Sequence, residues 1–234
     1  MKSWRGIAII TGGGRGIGAA CARVFFDKGY KVFLVSRTEA ELKSVCTELD
    51  PSGENAAYTA LDLRVEGAAL LVFDRCHKKF GTPSVLINNA GKLHLALIEN
   101  DTLKQWRDTM ALNLESVFTL TQAAFKHLLR GGSIVNVSSI SGVPGTEKLP
   151  KLAAYCASKA GVITLTEVTA TEGKDKDISC VCVSPGSVET QMLRSVTGPN
   201  FPKAADPASV AQTIFEAATS KRTAWNGKNV ELFR

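Results

Sequence analysis

Short β-branched runs alternate with longer segments of helical period along the whole chain, and no other feature restricts its fold as strongly. The runs are Gly6–Ile10, Lys31–Ser36, Ala57–Leu61, Ser84–Asn88, Ser133–Ser138, Ile178–Ser184 and Asn229–Phe233. Val85-Leu86-Ile87 and Val181-Cys182-Val183 are continuously apolar, as strands buried on both faces are. Between the runs lie Ile17–Lys28, Glu39–Leu49, Ala68–Phe80, Thr102–Leu129, Ala153–Gly173 and Pro207–Ala218. The first of these carries Ile17, Ala20, Cys21 and Val24 at helical spacing and stops at Gly29. Strand, helix, strand, repeated with short connections, requires right-handed crossovers and therefore a parallel sheet covered by helices on both faces. The expected architecture is α/β, a doubly wound parallel sheet of about seven strands. No linker, repeat or composition shift divides residues 1–234, so one domain is expected.

Composition narrows the function classes. With 234 residues, 44% hydrophobic and 21% charged, the chain can bury a sizeable core without staples. The longest apolar runs, such as Ile7–Ile10 and Val32–Val35, are far too short to span a membrane. The opening Met-Lys-Ser-Trp-Arg leads into a short apolar run with no small-residue cleavage site, which does not read as a signal peptide. Cys21, Cys46, Cys76, Cys156, Cys180 and Cys182 have no C-x-x-C spacing and sit mostly in apolar segments. They read as buried thiols rather than a disulfide framework or zinc site, so a cytoplasmic protein without a metal is expected. The net charge of +6 is spread along the chain, with no zinc-finger, basic-zipper or RNP pattern. No nucleic-acid or membrane partner is expected; the positive field suits an anionic substrate or a phosphate-rich cofactor.

The first strand runs into Thr11-Gly12-Gly13-Gly14-Arg15-Gly16-Ile17-Gly18 and then a helix. Glycines admit positive φ and let a pyrophosphate approach the backbone, and the helix N-terminus behind them favours that anion. A packing-driven turn would also use glycines, but strand, turn and helix here come in the order a dinucleotide site requires. The spacing T-G-x-x-x-G-x-G resembles that of the short-chain dehydrogenase/reductase superfamily, which implies a Rossmann fold, and the resemblance extends over nearly the whole chain. In NAD sites an acid about twenty residues on commonly holds the ribose 2′-hydroxyl. Here the second strand ends Val35-Ser36-Arg37, without a carboxylate. Arg37 can bind a 2′-phosphate with paired donors, and Arg15 is similar to the second basic residue of NADPH-preferring members. NADP(H) is therefore expected ahead of NAD(H). Asp62-Leu63 resembles the family's adenine-contacting pair, although an Asp there could equally cap the next helix.

Tyr155-Cys156-Ala157-Ser158-Lys159 is similar to the family's Y-x-x-x-K. On a helix the two lie on one face, where Lys⁺ and a positive nicotinamide would lower the phenol's pKa toward working range. Tyr and Lys four apart are commonplace alone, but the surroundings point the same way. Ser138-Ser139-Ile140-Ser141-Gly142 resembles S-S-x-x-G, which implies Ser139 as the group that polarises the substrate oxygen. The stretch from Gly142 to Tyr155 is slightly longer than the family norm, so Ser141 remains the alternative. Asn113 matches the asparagine that, in the family, holds a water linking Lys159 to solvent. Asn88-Asn89-Ala90-Gly91 is similar to the N-N-A-G turn on the ribose and nicotinamide side. Ser184-Pro185-Gly186-Ser187-Val188-Glu189-Thr190 resembles the P-G-x-V-x-T segment, with Val188 backbone and Thr190 hydroxyl orienting the carboxamide.

These residues lead to an NADP(H)-dependent oxidoreductase that interconverts a carbonyl and an alcohol, with Asn113, Ser139, Tyr155 and Lys159 as its catalytic set. Length and the first hundred residues resemble 3-oxoacyl-acyl-carrier-protein reductases, but the ending Lys228-Asn229-Val230-Glu231-Leu232-Phe233 lacks their usual D-G-G tail. A non-catalytic dinucleotide-binding sensor or scaffold is the alternative of another class; such relatives generally lose Tyr or Lys, and this chain keeps both. The long irregular stretch 184–206 reads as the substrate-specificity loop. Family habit implies a homodimer or homotetramer through the helices that carry Asn113 and Tyr155.

Overall fold

The computed structural model describes residues 4–197, 204–220 and 224–232. Its strands are β1 (Gly6–Thr11), β2 (Tyr30–Ser36), β3 (Ala56–Ala60), β4 (Val85–Asn88), β5 (Ser133–Val137), β6 (Ser179–Pro185) and β7 (Asn229–Leu232). They form one sheet in the order β3-β2-β1-β4-β5-β6-β7, and each neighbouring pair is parallel. The helices are α1 (Gly16–Asp27), α2 (Glu39–Leu49), α3 (Ala68–Phe80), α4 (Leu103–Met110), α5 (Ser116–His127), α6 (Ala153–Glu172), α7 (Gln191–Thr197) and α8 (Pro207–Thr219). The doubly wound parallel sheet expected from the sequence is the observed one. Phe233, expected to close the last strand, lies outside the described residues.

Period-2 alternation splits the apolar strands between two cores. Ala8, Ile10, Val32 and Leu34 face a cluster that includes Ala19, Cys21 and Phe25 of α1 and Val210 and Ile214 of α8. Their neighbours Ile7, Ile9, Phe33 and Val35 face Val72, Phe73 and Cys76 of α3 and Leu120 and Ala124 of α5. A strand with one polar face could not serve both layers. All six cysteines are unpaired, five of them buried and Cys156 half-buried. Among the described residues no helix is long and apolar enough to cross a membrane.

Two segments differ from the sequence-based expectation. The helix expected over Thr102–Leu129 is interrupted at Ala111–Glu115 by a π-helical turn between α4 and α5. Such a turn inserts a residue into the hydrogen-bond ladder, which a pattern of apolar spacing does not report. The stretch expected to be irregular contains α7, started by Thr190, whose hydroxyl accepts from Leu193 N at 3.3 Å and whose carbonyl accepts from Arg194 N at 3.0 Å. Of the residues that give this stretch its loop-like composition, Gly186 is described, and Gly198, Pro199 and Pro202 lie outside the described residues. At α8 the start is ordinary: Ala208 N donates to Asp206 Oδ1 at 3.0 Å and Pro207 takes the first helical position.

Candidate active site

The sheet order reverses direction at β1, whose neighbours are β2 on one side and β4 on the other, and the carboxyl ends there open onto a crevice. A cleft lies at this point, running from Ser36 and Arg37 at the end of β2 to Tyr155 and Lys159 on α6. Its floor is the glycine turn. Gly12 has φ +66°, and a β-carbon on Gly18 would lie 2.1 Å from the Gly12 carbonyl oxygen, so α1 can start this close to β1 only with glycine there. Thr11, the last residue of β1, ties this turn to the next one. Its Oγ1 donates to Ile87 O at 3.2 Å and accepts from Asn89 N at 2.9 Å and Ala90 N at 3.0 Å. Asn89 Nδ2 returns a bond to Thr11 O at 2.9 Å. The two motifs therefore form one rigid floor across β1 and β4.

The β2 end of the cleft is charged and open. Ser36 Oγ is buried and has no hydrogen-bond partner among the described residues. Arg37 is exposed on the cleft wall. Arg15 lies across the glycine turn, its Nη1 donating to Glu41 Oε1 of α2 at 3.1 Å and to Gln191 Oε1 of α7 at 2.7 Å. Beyond Arg37, Asp62 is held by Arg64 through a forked pair, Nε to Oδ1 at 2.9 Å and Nη2 to Oδ2 at 2.6 Å. That contact, reinforced by the charge of Arg37, holds the Asp62 carboxyl well below the usual range, at about 2. Arg64 also reaches Asp108, which in turn holds Lys92.

The α6 end is enclosed. The Tyr155 phenol is raised by burial, and the Ser139 hydroxyl that reaches it pulls the other way. Lys159 is buried; its Nζ donates to Val137 O at 2.8 Å and lies 5.8 Å from the centre of the Tyr155 ring. Burial lowers the Lys159 ammonium to about 8. The lysine thus lies by the ring and donates one proton to a backbone carbonyl. Asn113 is fully buried in the π turn. Its Oδ1 accepts from Lys92 N at 2.9 Å, and its Nδ2 donates to Lys92 O at 2.9 Å and to Ser158 Oγ at 3.1 Å.

Most of the residues singled out from the sequence converge. Gly12, Gly14, Arg15, Gly16 and Ile17 line the floor, Ser36, Arg37 and Leu63 one end, Asn89, Ala90 and Gly91 the middle, and Tyr155, Lys159 and Thr190 the far wall. Gly18, Asp62, Asn113, Ser139, Pro185, Gly186 and Val188 are not among the residues that line the cleft. Of the two serines, Ser139 meets the phenol, while Ser141 N donates to Ser139 Oγ at 3.1 Å. The sequence reading did not single out Glu41, Gln191 or Ser158 as site residues. None of the three carries a spacing rule that would have marked it: Glu41 lies in the first turn of α2 and meets Arg15 only through the fold.

A family model described as short chain dehydrogenase matches residues 6–199. The chain is 34% identical over 193 residues, 81% of its length and 72% of the relative's, to 2,3-dihydro-2,3-dihydroxybenzoate dehydrogenase of Bacillus subtilis. It is 30% identical over 193 residues, 81% and 77% of the two chains, to a 3-oxoacyl-(acyl-carrier-protein) reductase of Chlamydia muridarum. Over 221 residues, 92% and 83%, it is 33% identical to 3-alpha-(or 20-beta)-hydroxysteroid dehydrogenase of Mycobacterium bovis. A crystal structure of a dehydrogenase/reductase from Sinorhizobium meliloti 1021 matches with a TM-score of 0.87 at 26% identity, covering 98% of this chain and 94% of that one.

Proposed function

The chain belongs to the short chain dehydrogenase family, and on that premise we propose that it interconverts a carbonyl and an alcohol with NADP(H), using Tyr155 as general acid and base. The residues of the cleft fit a dinucleotide. The glycine turn, with Gly12, Gly14 and Gly16 lining the cleft at the start of α1, supports a pyrophosphate, and the buried, unpartnered Ser36 Oγ beside Arg37 supports a 2′-phosphate. Asn89, Ala90 and Gly91 would hold the middle of the molecule, and Tyr155, Lys159 and Thr190 its reactive end.

When bound, the nicotinamide supplies the hydride; the protein supplies position and proton. Tyr155 donates its phenolic proton to the carbonyl oxygen in reduction and removes it from the alcohol in oxidation. Ser139 polarises the same oxygen while bonding the phenol, so the two hydroxyls work as a pair. Lys159, fixed by Val137 O, keeps a positive charge beside the ring at neutral pH, and Asn113 holds the backbone of Lys92 against the floor. The segment 184–206, with α7 at its centre, would select the substrate within this single domain, and a second copy of the chain is the expected protein partner.

The placement of Tyr155 and Lys159 together on one wall of a cleft floored by the glycine turn carries this reading. Tyr155→Phe keeps the ring and removes only the proton donor. We expect a loss in kcat of about 10²-fold or more with NADPH affinity nearly unchanged, measured by steady-state assay and fluorescence titration. A phenylalanine variant that retained a large share of activity would show that the acid lies elsewhere.

A further inference from the structure

Arg15 and Arg37 both line the β2 end of the cleft, and both are exposed, but their surroundings differ. Arg37 makes no hydrogen bond or ion pair among the described residues. Arg15 is held twice by one nitrogen, to the Glu41 carboxylate at 3.1 Å and to the Gln191 amide at 2.7 Å. Glu41 also lies over the glycine turn itself: a β-carbon on Gly14 would fall 2.9 Å from Glu41 Cβ and 3.3 Å from its Oε2. A carboxylate thus stands at the corner where the 2′-phosphate reading needs positive charge.

We infer that Glu41 is a specificity-determining residue, which moderates the preference for a 2′-phosphorylated dinucleotide by occupying Arg15 and by opposing the incoming phosphate. The inference rests on the NADP(H) reading. The phosphate oxygens would compete with Glu41 for the Arg15 guanidinium, and the like charges of phosphate and carboxylate would face each other across it. Gln191 holds the same guanidinium without a charge, so Arg15 keeps one anchor when Glu41 is neutralised. The same exchange links the cofactor to the start of α7, because Gln191 is its first residue.

Glu41→Gln removes the charge and retains an oxygen for Arg15. Its effect is read by titrating wild type and variant with adenosine 2′,5′-bisphosphate and with 5′-AMP, which differ only in the 2′-phosphate. In a half-exposed setting, neutralising one such charge is expected to tighten the bisphosphate about three- to tenfold and to leave 5′-AMP within about twofold. Concentrated salt should shrink the gain, and in an Arg15→Ala background it should fall to less than half. A Glu41→Gln protein that binds the bisphosphate no better than wild type, or more weakly, overturns the inference and makes Glu41 a mere support for Arg15. If wild type binds the two nucleotides equally, the NADP(H) reading fails, whereas a selective gain in Glu41→Gln still sustains the role of Glu41.

Discussion

The two ends of the cleft are built on different physics. At the α6 end, Asn113 makes three hydrogen bonds inside the protein, Lys159 is fixed to Val137 O, and Tyr155 is reached by Ser139. Asn113 and Lys159 are buried, so their polar groups must find partners, and exchanging either leaves another buried group unsatisfied. At the β2 end, Arg15, Arg37 and Glu41 are charged and partly or fully exposed, and the pairing of Arg15 with Glu41 is one that water or a ligand can replace. Exposed ion pairs of this kind contribute little to stability. On the proposed reading, the buried end supplies the chemistry and the open end the choice of dinucleotide. Among the described residues two connections join them: the rigid floor formed by Thr11, the glycine turn and Asn89, and the ion-pair chain Asp62–Arg64–Asp108–Lys92, in which Asn113 holds the Lys92 backbone.

Serine substitutions test the enclosed end with the largest expected effect. Ser139→Ala removes the hydroxyl that bonds both phenol and substrate oxygen, and should lower kcat about 10²-fold or more, whereas Ser141→Ala, which loses no contact with Tyr155, should cost only a few-fold. Comparing the two in a steady-state assay sharpens the distinction, and the reverse ranking would mean that the longer segment before Tyr155 shifts the working serine by two residues. A smaller effect follows from pH. Lys159 is lowered to about 8 by burial, so it is charged below that pH and neutral above it. The profile of kcat/KM for NADPH, which reports the free enzyme, should be level below about pH 8 and fall by up to about tenfold per unit above it. A profile that instead rose through pH 8 would show that neutral Lys159 is the active form.

This contrast also explains what could be read from the sequence. The buried strands had to be apolar on both faces, so the sheet was legible in the sequence, and the resemblance in motif order pointed to Tyr155, Lys159, Ser139 and Asn113 as the candidate catalytic set. The π turn around Asn113 was not legible, because apolar periodicity is the same on either side of one inserted residue. Nor was α7, because its start depends on a Thr190 cap within a stretch of loop-like composition. At the β2 end, Arg15 and Arg37 were recognisable as charges, but their partners were hidden: Glu41 is 26 residues from Arg15, and Gln191 is 176 away. Asp62 shows the same limit in reverse. Its position suggested an adenine contact, and the fold gives its carboxylate to Arg64. Local spacing reports a site that is built within one element and not one assembled from distant surface charges.

The claim that the two ends are separable is tested most directly by exchanging the residues that follow β2. The ratio of kcat/KM for NADPH to that for NADH should be measured at low salt for wild type and for a Ser36→Asp, Arg37→Ala double variant. Wild type should prefer NADPH by at least about tenfold, which needs only about 1.4 kcal/mol. The double variant should narrow or invert that ratio while its kcat with the better cofactor stays within a few-fold of wild type, because no residue of the α6 end has changed. Equal use of the two cofactors by wild type, or a collapse of kcat in the double variant, would contradict the account.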